Sequence, residues 1–247
     1  MNQSEEASAE SIPQPGKNSA DVIAAPPLTD RAIWLEVLAV LAIGVLPNLA
    51  LAIVSAIYAA PSNLPYWVGS MELTLRCTGV SFAVLYLISR SGEPWSTFGL
   101  AVPRVSDLLL GLLISFVYFA LWNRVFPILP TDLVEHVGTL PFPLSPTDFI
   151  MMFVSHAANG FTEELVVRAY LITRLVRLLN SKLNAITLSA FVFASYHVYY
   201  DPGGGLIFIL LVGFVYGGIY LVLRRIWPLA LGHMLVNIFI ETAGSAS

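Results

Sequence analysis

Seven apolar runs, each close to the length that crosses a bilayer, constrain this chain more than any other feature. A spanning helix needs about 20 predominantly apolar residues at 1.5 Å rise per residue. Such runs lie near residues 33–59, 66–89, 105–128, 149–173, 183–200, 206–223 and 226–243. The predicted fold class is therefore all-α, a polytopic membrane protein built as a bundle of about seven transmembrane helices. The mean hydropathy of +0.76 and the 11% share of charged residues agree with this, since soluble domains carry roughly a quarter charged residues. No internal repeat is visible.

Residues 1–30 stand apart. They are polar, rich in Ser, Ala and Pro, and mildly acidic, which predicts a disordered cytoplasmic tail ahead of a transmembrane domain over 31–247. An early basic region with a short apolar run, the pattern of a signal peptide, is missing. The first apolar run is too long for one and is expected to stay as an anchor. The formal charge of −4 says little, and no basic cluster beyond Arg224-Arg225 suggests nucleic-acid binding. Cys77 is the single cysteine, so neither an intrachain disulfide nor a multi-cysteine metal site is expected. The segment "LPTDLVEHVGTLPFPLSPT" at 129–147 is long enough for a short re-entrant or surface piece, and "DPGGG" at 201–205 predicts a tight turn.

Basic residues set an expected orientation. Arg31, Arg90 with Arg104, Arg174 with Arg177 and Lys182, and Arg224 with Arg225 fall in alternate connections. The intervening connections carry mainly acids, with Arg124 the exception. This alternation predicts a cytoplasmic N-terminus and an external C-terminus. A bacterial cell membrane is the expected location.

Ionisable groups inside spans are costly, so each one asks for a reason. Glu36 sits near a membrane edge and is expected to snorkel. Glu72 and Arg76, four residues apart, are expected to form a structural ion pair. For His156, packing or hydrogen bonding is preferred to catalysis. The stretch "NGFTEELVVRAYL" at 159–171 is more pointed. Glu164 and Arg168 are again four apart, so the arginine can neutralise that carboxylate. Glu163 is rotated about 100° away, and the residue four beyond it is Val167. It needs a partner from another helix or must carry a proton, and a carboxylate in a low-dielectric site, with its raised pKa, suits a general base.

Partners for Glu163 are available. His197 closes "FASYH" in the fifth run, and His233 with Asn237, in "HMLVN", shares one face of the seventh. Glu163, His197, His233 and Asn237 lie roughly 10 to 21 Å from the expected cytoplasmic ends, so helix tilt can bring them into one layer. A purely structural polar network is the bland alternative.

At these residues the sequence resembles the CPBP intramembrane proteases, the CAAX-processing and bacteriocin-processing (Abi) family. "EELVVR", "FASYH" and "HMLVN" look like that family's EExxxR, FxxxH and HxxxN/D motifs, in the same order. The likeness covers residues 149–243 well and the first three runs only in general character. Members often have Phe-Arg-Gly where this chain has Val167-Arg168-Ala169. That difference changes packing but removes no reactive group. The resemblance implies cleavage of a peptide bond in a membrane-associated peptide or protein at the lipid bilayer: a CAAX-type tail, a leader peptide or an anchor. It implies that Glu163 and His197 activate water, that His233 and Asn237 stabilise the oxyanion, and that Glu164 and Arg168 support the first motif. Members are commonly described as metalloproteases. One zinc ion held by Glu163, His197 and His233, with an open position, is the cofactor left open. No HExxH pair is present, so such a set would come from three helices, and a metal-free site is preferred. A carrier, a proton relay or an immunity or scaffold protein using the same polar cluster remains the rival reading.

Overall fold

The computed structural model describes residues 28–57, 65–125, 143–198 and 204–244. The tail over 1–27, the segment at 129–142 and most of the "DPGGG" turn lie outside the described residues. Within them the chain is helical, with no strand. The helices are α1 (Asp30–Gly44), α2 (Leu46–Ile57), α3 (Tyr66–Arg90), α4 (Val105–Val125), α5 (Pro146–Glu163), α6 (Thr173–Leu179), α7 (Lys182–Ser195), α8 (Gly204–Leu223) and α9 (Trp227–Gly244). A π-helical segment, Glu164–Ile172, joins α5 to α6 without a break. The seven predicted runs thus map onto seven helical stretches, α1 with α2 and α5 with α6 each counting as one. The protein is a helical membrane protein. Four stretches, Asp30–Val54, Tyr66–Arg90, Val105–Arg124 and Gly205–Leu223, are long and apolar enough to cross a bilayer.

Local sequence explains several helix ends. Ser145 accepts from the Asp148 backbone N–H while Asp148 answers to the Ser145 backbone, and Pro146 occupies the first turn. This is a capping box followed by a proline whose missing N–H costs nothing there. Ser181 caps α7, and Asn180, at φ 46°, ends α6 in the left-handed region that Asn tolerates. The connection between α8 and α9 is tied to the start of α4 by Arg225, whose Nε donates to Asp107 at 2.6 Å.

The bundle is organised around α5 and its π-helical continuation. α5 packs between α3 and α9, α9 also covers α4, α7 lies against α8 and the π segment, and α1 leans on α3 and α6. The core includes Ile33, Val37, Val84, Leu165, Leu171 and Tyr220. Outward-facing apolar side chains such as Phe82, Phe116 and Val222 are exposed, as expected of a surface that meets lipid rather than water.

Three expectations need correction. Residues 183–200 do not form one span: α7 ends at Ser195 after 14 residues, about 21 Å, and His197 sits in the turn that follows. Glu36 does not snorkel. Its side chain is 15% exposed and accepts a hydrogen bond from the Tyr170 hydroxyl at 2.8 Å, because α1 packs against the π segment. Arg174, expected in the connection between two runs, lies in α6. It is buried, pairs with Glu93 and lies 4.9 Å from the centre of the Phe98 ring.

The α7–α8 contact depends on small residues. A Cβ on Gly213 would stand 3.1 Å from Cα and Cβ of Ala190, and one on Gly217 would stand 3.1 Å from Ile186 Cγ2. Such positions let helix backbones approach closely. Leucine at either should force the helices apart at a cost of about 1–3 kcal/mol. We expect Gly213→Leu to lower the melting temperature of purified protein. A variant with normal melting that loses only cleavage would place Gly213 in the site instead.

Candidate active site

The site forms where α5 gives way to the π segment. In a regular α-helix, consecutive residues point about 100° apart, and the wider π turn that starts at Glu164 alters the register just where the two glutamates meet. Glu163, the last residue of α5, borders a cavity of about 460 Å³. Glu164, the first of the π segment, does not border it and is wholly buried. Insertions of this kind recur at functional sites in helices.

Behind the cavity wall lies a charged cluster. Arg168 Nη1 donates to Glu164 Oε1 at 3.0 Å, and both side chains are 0% exposed. The same carboxylate oxygen receives a second hydrogen bond, from His233 Nδ1 at 2.9 Å. The guanidinium of Arg168 also lies 4.2 Å from the centre of the Phe193 ring and 5.4 Å from that of Tyr216, both within cation–π range. The "EELVVR" and "HMLVN" segments and the phenylalanine of "FASYH" are therefore joined through one buried ion pair.

The four residues singled out by sequence all line the same cavity: Glu163, His197, His233 and Asn237. His233 Nε2 stands 3.6 Å from Glu163 Oε2, beyond a good hydrogen bond but close enough for electrostatic coupling. His197 Nδ1 contacts the Phe193 carbonyl at 2.7 Å. A carbonyl only accepts, so Nδ1 carries hydrogen, and in the neutral ring the lone pair is on Nε2. The same logic applies to His233, whose Nδ1 faces a carboxylate. The Asn237 amide makes no hydrogen bond to the described residues. Glu164 and Arg168, predicted as supporting residues, sit together outside the cavity.

Residues 145–239 match the type II CAAX prenyl endopeptidase Rce1-like family model. The matched stretch runs from the N-cap of α5 into α9, so it contains every motif that carries the resemblance to the CPBP proteases. It supports a membrane peptidase of the CAAX type as the activity class. No curated protein and no solved structure matches the chain.

The donor chemistry of the site suits a divalent metal in part. His233, whose Nδ1 faces Glu164, can offer Nε2, and Glu163 Oε2 has no hydrogen-bond partner among the described residues. A histidine whose second nitrogen donates to a carboxylate is a familiar metal-ligand arrangement. Among the described residues, however, no three His, Cys, Asp or Glu side chains converge as a metal-holding group.

Other polar residues of the cavity escaped the sequence reading or were read as bland. Asn48, Glu72, Arg76, His156 and Asn159 form a second polar wall, from α2, α3 and α5. His156 Nε2 lies 2.7 Å from Glu241 Oε2, and Tyr66 donates to the same glutamate, which fits the expected hydrogen-bonding role of His156. Glu72 and Arg76 pair at 3.0 Å as expected, but they do so on the cavity wall. Nothing in a single helix pattern reveals that α3 turns this pair toward α5 and α9.

Proposed function

We propose that the protein is an intramembrane endopeptidase in which Glu163 and His197 activate a water molecule for attack on a peptide carbonyl. The supporting observation is that Glu163, His197, His233 and Asn237, from three separate parts of the chain, border one cavity while Glu164 and Arg168 are sealed behind it. Water placed between the Glu163 carboxylate and His197 Nε2 loses a proton to Glu163 as its oxygen attacks. The oxyanion of the tetrahedral intermediate accepts a hydrogen bond from the Asn237 amide. His233 adds a second one when its Nε2 is protonated. Collapse of the intermediate returns the proton from Glu163 to the leaving nitrogen. Glu163, His197 and His233 are the residues a zinc ion would use, but they do not converge as a metal-holding group among the described residues, and no step of the proposed chemistry is routed through a metal.

The substrate class is a membrane-associated peptide or protein: a CAAX-type tail, a leader peptide or an anchor. Purified protein in lipid should release a fragment from such a peptide, read by mass spectrometry of the two products. Intact peptide after prolonged incubation with well-folded protein would overturn the proposal. The rival proton-relay reading expects bound peptide and no fragments.

The orientation proposed is N-terminus cytoplasmic and C-terminus external, from the alternation of basic connections. A phosphatase active only outside the cytoplasm should work when fused after residue 247 and fail when fused at residue 30. The reverse pattern would invert the topology.

A further inference from the structure

Among the described residues one arginine, Arg76, borders the cavity, and the proposed water chemistry does not use it. A cation this far into a span is expensive. Arg76 lies ten residues into α3, about 15 Å from the start of the helix. Lipid phosphates lie at the membrane edge, so that depth disfavours a headgroup as its target. Its present partners leave it underused. Nε donates to Glu72 at 3.0 Å, but the Glu72 side chain is 60% exposed, and ion pairs of that exposure contribute little. A second bond from Nη1 goes to the Asn48 side-chain carbonyl. Nη2 has no hydrogen-bond partner among the described residues, although a guanidinium offers five N–H donors in a planar fork.

Arg76 also stands close to the reactive group. It and Glu163, together with Asn48, Asn159 and Tyr196, border both the large cavity and a niche of about 20 Å³ behind it. The bonds to Glu72 and Asn48 hold the fork and leave the N–H groups of Nη2 without a partner among the described residues. A fork held this way suits bidentate recognition of a carboxylate.

We infer that Arg76, held by Asn48, is the specificity-determining residue that binds the free C-terminal carboxylate of the substrate peptide and sets how many residues separate that end from the scissile bond. The inference rests on the peptidase reading and sharpens it. A terminal carboxylate held by Arg76 fixes which peptide bond reaches Glu163. Glu72 keeps its bond to Nε while the remaining N–H groups of Nη1 and Nη2 meet the ligand, so the cation serves two carboxylates at once.

The test uses one peptide in two forms, with a free terminal carboxylate and with a terminal amide. Binding is measured to the uncleaving Glu163→Gln protein in lipid, and KM and kcat are measured with the otherwise native protein. The acid should bind about ten- to a hundredfold more tightly than the amide, the range of a hydrogen bond to a charged group. Arg76→Gln should bring the affinity for the acid down to that for the amide, with the loss falling on KM rather than kcat. Arg76→Lys, which keeps the charge but not the fork, should retain part of the preference, and it stands in if the glutamine variant fails to fold. Equal affinity for acid and amide in protein with Arg76 intact would overturn the inference while leaving the endopeptidase reading in place. Persistence of the preference in both Arg76 variants would also overturn it. Acid-selective binding lost on substitution, in a protein that never cuts either peptide, would support the anchor and sink the peptidase reading.

Discussion

Glu163→Gln should give a folded protein whose cleavage rate falls by at least the roughly 10²–10⁴-fold that follows loss of a general base. Glutamine preserves the shape of the side chain. The position also tolerates loss of charge. Oε2 has no hydrogen-bond partner among the described residues, and His233 Nε2 stands 3.6 Å away. Stability therefore depends little on the charge, and catalysis depends on it heavily. Melting and peptide release, measured on the same preparation, separate the two. Metal content then divides the possible causes. About one equivalent of zinc, with activity lost to a chelator and restored by the metal, would make Glu163 a ligand. Full activity in metal-free protein leaves it as a base. If Glu163→Gln cuts at the normal rate, the reactive carboxylate is another group.

The membrane character and the helix positions were legible because burial in lipid selects strongly for residue type. Seven apolar runs can hardly be read otherwise. The pairing of Glu164 with Arg168 was legible from spacing alone. Two features were hidden for definite reasons. The π-helical stretch after Glu163 carries no distinctive residue type. Its wider turn depends on how α3, α7, α8 and α1 press on it, and those are tertiary contacts. The early end of α7 was obscured because apolar residues continue past Ser195, so hydropathy runs on where hydrogen bonding stops. The partners of Glu36 and Arg174 were missed for a related reason. A charge near a span end looks solvated until the neighbouring helix that supplies Tyr170 or Glu93 is known. The second wall of the cavity, with Asn48 and Arg76, likewise needed the packing of α2 and α3 to be seen.

Glu164→Gln should destabilise the protein by about 3–5 kcal/mol, the usual cost of leaving one partner of a buried ion pair alone. The surroundings leave Arg168 no substitute. It is 0% exposed, its Nε and Nη2 have no hydrogen-bond partner among the described residues, and only the Phe193 and Tyr216 rings lie over it. Glutamine can still accept a hydrogen bond, but it brings no charge. His233 would suffer with it, since the same carboxylate oxygen orients its ring through Nδ1. Activity should therefore fall together with the melting temperature, unlike the selective loss expected for Glu163→Gln. A second substitution distinguishes a structural charge pair from a catalytic carboxylate. Glu164→Gln combined with Arg168→Met removes the stranded cation and replaces it with an apolar side chain. Because buried pairs can often be exchanged for apolar groups with little loss, the double variant should melt above the single one, and the coupling between the sites is read from the mutant cycle. Recovery of stability without recovery of cleavage would match a cluster that holds His233 and the two helices in register. A Glu164→Gln protein that melts normally and is inactive would reverse the assignment and make Glu164 the reactive carboxylate.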